Sequence, residues 1–97
     1  MPKILYLNLT YNWFDEIKAD RKKEEYRVVN NFWKSRIEDK AFDEIYILRG
    51  YPRKGKNGYD PEVIQKFKWN GYEKRVVKYP ILEKNVNCYC INLSERI

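Results

Sequence analysis

Histidine is absent from this chain, and cysteine, glycine and proline are sparse at two, four and four residues among 97. Without imidazole there is no histidine general base, no Ser-His triad and no imidazole metal ligand. Cys88 and Cys90 stand two apart in a strand-like segment, so they point the same way and are poorly placed to bridge each other. Two thiols cannot alone complete a four-ligand zinc site, and the expectation is a pair of small buried or half-buried side chains, with no metal and no cofactor. A phosphate-binding glycine loop of the P-loop or dinucleotide type is also missing. No apolar run approaches the length that crosses a bilayer, and the opening residues lack the apolar segment of a secretory signal. The expectation is a cytoplasmic protein that does not engage membranes.

What is present is aromatic and charged. Hydrophobic residues make up 43% of the chain, aromatics 16% and charged residues 35%. This composition belongs to a folded protein, and the length suits one domain, 1–97, with one core. The net charge of +6 is uneven: residues 1–48 hold nine basic and nine acidic groups, whereas residues 49–97 hold eleven and five. Such asymmetry points to a polyanionic partner, nucleic acid before membrane, although a net charge of this size also serves solubility alone.

Apolar periodicity lays out the elements. Residues 3–10 read as a central strand covered on both faces, with Ile4 and Tyr6 on one side and Leu5, Leu7 and Leu9 on the other. Thr10 or Asn12 caps a short helix that puts Trp13, Phe14 and Ile17 on one face. A second strand, 24–29, is expected to turn Tyr26 and Val28 inward. Asn30 or Asn31 then caps a helix over about 32–38, where Phe32, Trp33 and Ile37 form an apolar stripe and Arg36 lies along the Trp33 ring. Residues 43–48 form a third strand.

The segment 49–59 contains three glycines, one proline and an Asn-Gly pair, the composition of a loop or hairpin tip. It carries Arg49, Arg53, Lys54 and Lys56, no acid, and the tyrosines Tyr51 and Tyr59. Cations that neutralise phosphates beside rings that stack on bases are what single-strand recognition uses, and a solvated loop has the same composition. Residues 61–69 read as a strand, or as a short helix at the Pro-Glu start. Asn70-Gly71 is a two-residue hairpin turn that would join this segment to a strand over 72–79. Lys66, Lys68, Lys74, Arg75 and Lys78 would then extend the positive surface along that hairpin. A last strand, 86–93, completes the sheet. Five or six strands with two short helices near the N-terminus give an α+β chain, a small, partly closed mixed β-barrel.

The densest charge lies at residues 20–27, Asp-Arg-Lys-Lys-Glu-Glu-Tyr-Arg. On a strand Glu25 and Arg27 project side by side, and the long stem of Lys22 swings its ammonium over the same area. Cross-strand pairing on a solvated face accounts equally for such a run. The order Trp13-Phe14-x-x-Ile17 followed by Lys22-x-x-Glu25-x-Arg27 resembles the signature of the ASCH-domain family, an aromatic helix and then Gly-x-Lys-x-x-Glu-x-Arg. Trp33-x-x-Arg36-Ile37 and the strand ending in Arg49-Gly50-Tyr51 look like the small ASCH proteins common in phage genomes. The resemblance covers residues 3–51, and Asp20 stands where the family usually has Gly.

The resemblance implies a PUA-like barrel with a ligand cleft between the first helices and the barrel mouth. It implies a nucleic-acid-binding or nucleotide-binding module, RNA favoured, with Lys22, Glu25 and Arg27 in the cleft. The residues themselves add Arg49, Tyr51, Arg53, Lys54, Lys56, Lys66, Lys68, Lys74 and Arg75 along the backbone of the bound strand. Some members of the family are amidohydrolases of acylated cytidine and others are ribonucleases. In that alternative Lys22 and Glu25 would be the catalytic pair, but Glu25 occupies the place of the hydrolase threonine. A third alternative is a factor whose positive face meets an acidic protein.

Overall fold

A computed structural model of the chain describes residues 1–79 and 83–97. The element order is β1 (Ile4–Leu9), α1 (Tyr11–Lys18), β2 (Glu24–Val28), α2 (Asn31–Ile37), β3 (Glu44–Arg49), β4 (Ile64–Lys68), β5 (Tyr72–Tyr79) and β6 (Lys84–Asn92). The strands form two three-stranded sheets, ordered β1-β3-β4 and β2-β6-β5. β1 runs parallel to β3, as expected when a helical crossover separates two strands, and the other pairings are antiparallel.

One core fills the space between the sheets. Leu5, Leu7, Leu9, Ile45, Ile47 and Phe67 come from the first sheet, Tyr89 and Ile91 from the second, Phe14 and Ile17 from α1, and Ile37 from α2. Burying each of the larger aliphatic or aromatic groups contributes about 1.5–3 kcal/mol. Both helices start at side-chain caps. Thr10 Oγ1 accepts from the Trp13 amide at 3.4 Å, and Asn30 Oδ1 from the Trp33 amide at 2.9 Å. Each thereby satisfies a donor that the first helical turn leaves free.

Four expectations are corrected. β3, not β1, is the central strand: β1 pairs on one side only, and Tyr6 on its outer face is 46% exposed. In β2 the inward face is that of Glu25 and Arg27, which stand opposite the core residues Ile91 and Tyr89, whereas Tyr26 and Val28 stand opposite Cys90 and Cys88. Both cysteines are buried free thiols. Arg36 lies over Phe32, 3.5 Å from its ring centroid, because the four-residue spacing carries it there; Arg27 takes the place over Trp33.

The fourth correction concerns Asn70-Gly71, which joins no hairpin: β4 belongs to one sheet and β5 to the other. Gly71 does adopt the left-handed φ of 82° that such a dipeptide favours. Non-local bonds redirect the chain. The Trp69 amide donates to Asp43 O, Asn70 Nδ2 to Glu95, and the Asn92 amide to Gly71 O, while the Trp69 ring packs between Phe42 and Tyr72. Lys66 and Lys68 are therefore on a different sheet from Lys74 and Arg75. The segment with the Pro-Glu start resolves into a 3₁₀ turn, Pro61–Val63, capped by Asp60 and followed by β4.

Two features join the sheets. Beyond β6 the chain runs along β4, with a bridge between Phe67 and Arg96 and bonds from the Lys68 amide to Glu95 O and from the Ile97 amide to Lys66 O. Arg27 of β2 reaches β1 by a side chain, its Nη2 donating to Asn8 O at 2.9 Å.

Candidate functional site

The motif residues fall on a bend and a strand. After α1 the amides of Arg21 and Lys22 both donate to Glu16 O, which folds the chain back on the helix end. Asp20 takes a φ of 60° to make this turn. Lys22 is exposed, with its ammonium 5.0 Å from the Trp13 ring centroid. Glu25 is buried, 5% exposed, and its carboxylate is committed twice: Oε1 accepts from the Tyr26 amide at 3.0 Å and Oε2 from Arg27 Nη2 at 2.6 Å.

Burial pushes the Glu25 carboxyl above its ordinary range, outweighing the neighbouring Arg27 guanidinium, which pulls the other way. The Trp13 indole group lies close enough to the carboxyl to favour its charged form slightly, yet its buried Nε1 completes no hydrogen bond. Arg27 Nε is likewise buried without a partner. The guanidinium lies 4.8 Å from the Trp33 centroid. The motif thus gives two cation–ring contacts, Lys22 over Trp13 and Arg27 over Trp33, and Glu25 pairs with Arg27. Glu25 holds Arg27 in place; it does not project beside it into a solvated mouth. An open depression of about 360 Å³ lies elsewhere, lined by Asn31, Lys34, Ser35, Glu38, Asp39 and Lys40.

The remaining predicted cations divide by whether a carboxylate engages them. Arg49 forms a forked pair with Asp15 at 3.0 and 3.1 Å and lies over Tyr11, tying β3 to α1. Beside it Gly50, at φ 65°, leaves room that a Cβ would fill only by meeting Tyr11 Cε1 at 2.6 Å. Lys68 pairs with Glu95, Lys74 with Glu38, and Arg75 with Glu24 and Glu73. Arg53, Lys54, Lys56 and Lys66 are exposed and have no carboxylate within ion-pair distance among the described residues. They follow one another through the β3–β4 connection into β4. Tyr51 in that connection is 89% exposed, and a bridge between Gly55 and Gly58 makes a tight turn that carries Lys56 and Asn57 outward.

Sequence reasoning missed Tyr6, Tyr46 and Trp13 as site candidates. The exposure of Tyr6 follows from the outer face of the first sheet being uncovered at its position, a non-local fact. Trp13 had a signal, the three- and four-residue spacing that also marks a core position, and only its half-buried ring beside Lys22 and Tyr26 separates the two roles. No helix among the described residues is long and apolar enough to cross a membrane. Comparison with family models, with curated proteins and with solved structures finds no match.

Proposed function

We propose that the chain is a PUA-like domain of ASCH type that binds single-stranded nucleic acid, RNA before DNA, without a metal or cofactor. The observation that carries this reading is a set of uncompensated cations: Arg53, Lys54 and Lys56 near Tyr51 in the β3–β4 connection, and Lys66 of β4 over the Tyr46 ring. Arg49, Lys68, Lys74 and Arg75 are neutralised by the protein's own carboxylates, whereas Arg53, Lys54, Lys56 and Lys66 are free to replace counterions on phosphates. Lys22 adds a fifth exposed cation next to the motif, with the Trp13 ring beneath it to receive a base or sugar. Asp20, which departs from the ASCH motif, has the left-handed backbone that glycine favours, so the departure is one of side chain and not of conformation.

Arg27 acts in this reading as the donor presented to a base or phosphate and Glu25 as the group that orients it. The hydrolase alternative lacks such support. Lys22 and Glu25 share no hydrogen bond among the described residues, and Glu25 would have to leave Arg27 before exchanging a proton with substrate. The test is titration of the purified protein into a labelled single-stranded RNA of twelve nucleotides at low salt. Saturable binding that weakens steeply with added salt is expected. Absence of saturable binding overturns the reading, and a nuclease-resistant acidic protein recovered in its place would favour a protein partner.

A further inference from the structure

The outer face of the first sheet, turned away from the core, carries a row in which Tyr6 has no role above. Tyr6, Tyr46 and Lys66 are in register across β1, β3 and β4 and so share that face. Tyr6 is 46% exposed. Its ring meets that of Tyr46 edge to face, with centroids 5.5 Å apart and planes at 83°. Tyr46 is braced: its hydroxyl donates to Glu44 Oε1 at 2.6 Å, and the Lys66 ammonium lies 5.1 Å from its ring centroid. A tyrosine with both ring and hydroxyl fixed loses little freedom on meeting a ligand, which favours binding at such a surface.

We infer that this row is a stacking platform on which single-stranded nucleic acid lays an unpaired base, with Tyr6 as the open ring and Lys66 as the first phosphate contact. The inference rests on the nucleic-acid reading above and adds where the bases go. Charge complementarity supports this occupant. Lys66 is two strand spacings from Tyr6, about 10 Å, which one nucleotide and the flexible lysine stem bridge together. From Tyr46 the strand runs on to Gly50, about 13 Å at the usual rise, where the connection carrying Arg53, Lys54 and Lys56 begins. Among the described residues the carboxylates of this face are engaged, Glu44 by Tyr46 and Glu95 by Lys68. The net charge along this path is positive. A duplex keeps its bases stacked on each other, so the platform selects unpaired strands.

The test compares Tyr6→Ala, Tyr6→Trp and a loop variant, Arg53→Gln with Lys54→Gln and Lys56→Gln, against a labelled single-stranded RNA, the matching DNA and the RNA duplex. Loss of one stacking partner is expected to weaken single-strand binding about tenfold, leave the salt dependence unaltered and leave duplex binding unchanged. Tyr6→Trp, which keeps a ring, is expected to bind at least as tightly as wild type. Tyr6 is surface-exposed, and circular dichroism of Tyr6→Ala checks the fold while Tyr6→Trp gives the reading independently. Full single-strand affinity in Tyr6→Ala, with loss in the loop variant, overturns the platform and leaves the nucleic-acid reading standing. Equal loss on single strands and duplex, or weaker binding by Tyr6→Trp, also overturns the platform. Retention of affinity by every variant overturns the platform and the assignment of the connection to phosphate contact, whereas absence of saturable binding by the wild type overturns the nucleic-acid reading itself.

Discussion

Removing Arg53, Lys54 and Lys56 as glutamines tests the assignment of the β3–β4 connection by a number rather than by loss alone. Four cations on this path have no carboxylate partner: these three and Lys66. For single strands the logarithm of affinity falls with the logarithm of salt by about 0.7 per neutralised phosphate, so four contacts give a slope of about −2.8 and Lys66 alone about −0.7. Between 50 and 200 mM salt these contacts should then account for a drop in affinity of about 50-fold in the wild type and about threefold in the triple variant. Fluorescence anisotropy across at least four salt concentrations measures both slopes. The three side chains are exposed and ion-pair with nothing among the described residues, so thermal stability should move little. A triple variant that weakens binding but keeps the wild-type slope would refute the reasoning, since its cations would not have been the ones meeting phosphates.

Other perturbations address the motif and the pH response. Arg27→Met leaves the buried Glu25 carboxylate uncompensated and should cost about 3–5 kcal/mol in urea denaturation, whereas Glu25→Gln should cost about 1 kcal/mol. An equal or larger loss in Glu25→Gln would contradict the view that burial outweighs the ion pair. Because the Glu25 carboxyl is raised when folded, its contribution is present below pH 4.5 and lost as pH rises through the folded value, so wild type should fall relative to Glu25→Gln over that rise. Glu38 has the opposite sign. Lys74 and then Tyr89 hold its carboxyl low, so stability present above pH 4.5 is lost as pH falls through the lowered value, and Glu38→Gln should flatten that acid limb in denaturation at successive pH values. Tyr89, pushed up to about 12 by burial and then by Glu38, holds stability below pH 10 that is lost towards 12; absorbance titration of Glu38→Gln should show it ionising earlier. Asp20→Gly relieves a left-handed φ of 60° but gives up the 3.2 Å contact with Arg96, and should stabilise by about 0.5 kcal/mol in thermal unfolding.

Which parts of this molecule could be read in advance depended on how far apart in sequence the deciding contacts lie. The helix starts at Thr10 and Asn30 were legible because a cap and the amide it accepts from are three residues apart. The strand alternation of Leu5, Leu7 and Leu9 was legible for the same reason. What could not be read was which strand neighbours which. Asn70-Gly71 carries the chemistry of a hairpin turn, and Gly71 has the backbone angle to match, yet the flanking strands go to different sheets because Asp43, Glu95 and Asn92 engage the turn from about 21 to 26 positions away. Turn chemistry fixes the local path; the partner of each strand is set by contacts the local sequence does not contain.

The same distinction governs the site. A charged run after an aromatic helix was visible, but its inward face depended on β2 pairing with β6, which sets Glu25 opposite Ile91 and Arg27 opposite Tyr89. Once those two point at the core they must satisfy each other, because a carboxylate 5% exposed cannot be left to water. Pairing makes Glu25 a brace for Arg27. Among the cations that no carboxylate engages within the described residues are Arg53, Lys54 and Lys56 of the β3–β4 connection and Lys66 on the outer face of the first sheet. The buried pair of the motif ties β2 to β1, and the acid-free part of the β3–β4 connection, residues 50–59, carries Arg53, Lys54 and Lys56 without a carboxylate partner among the described residues.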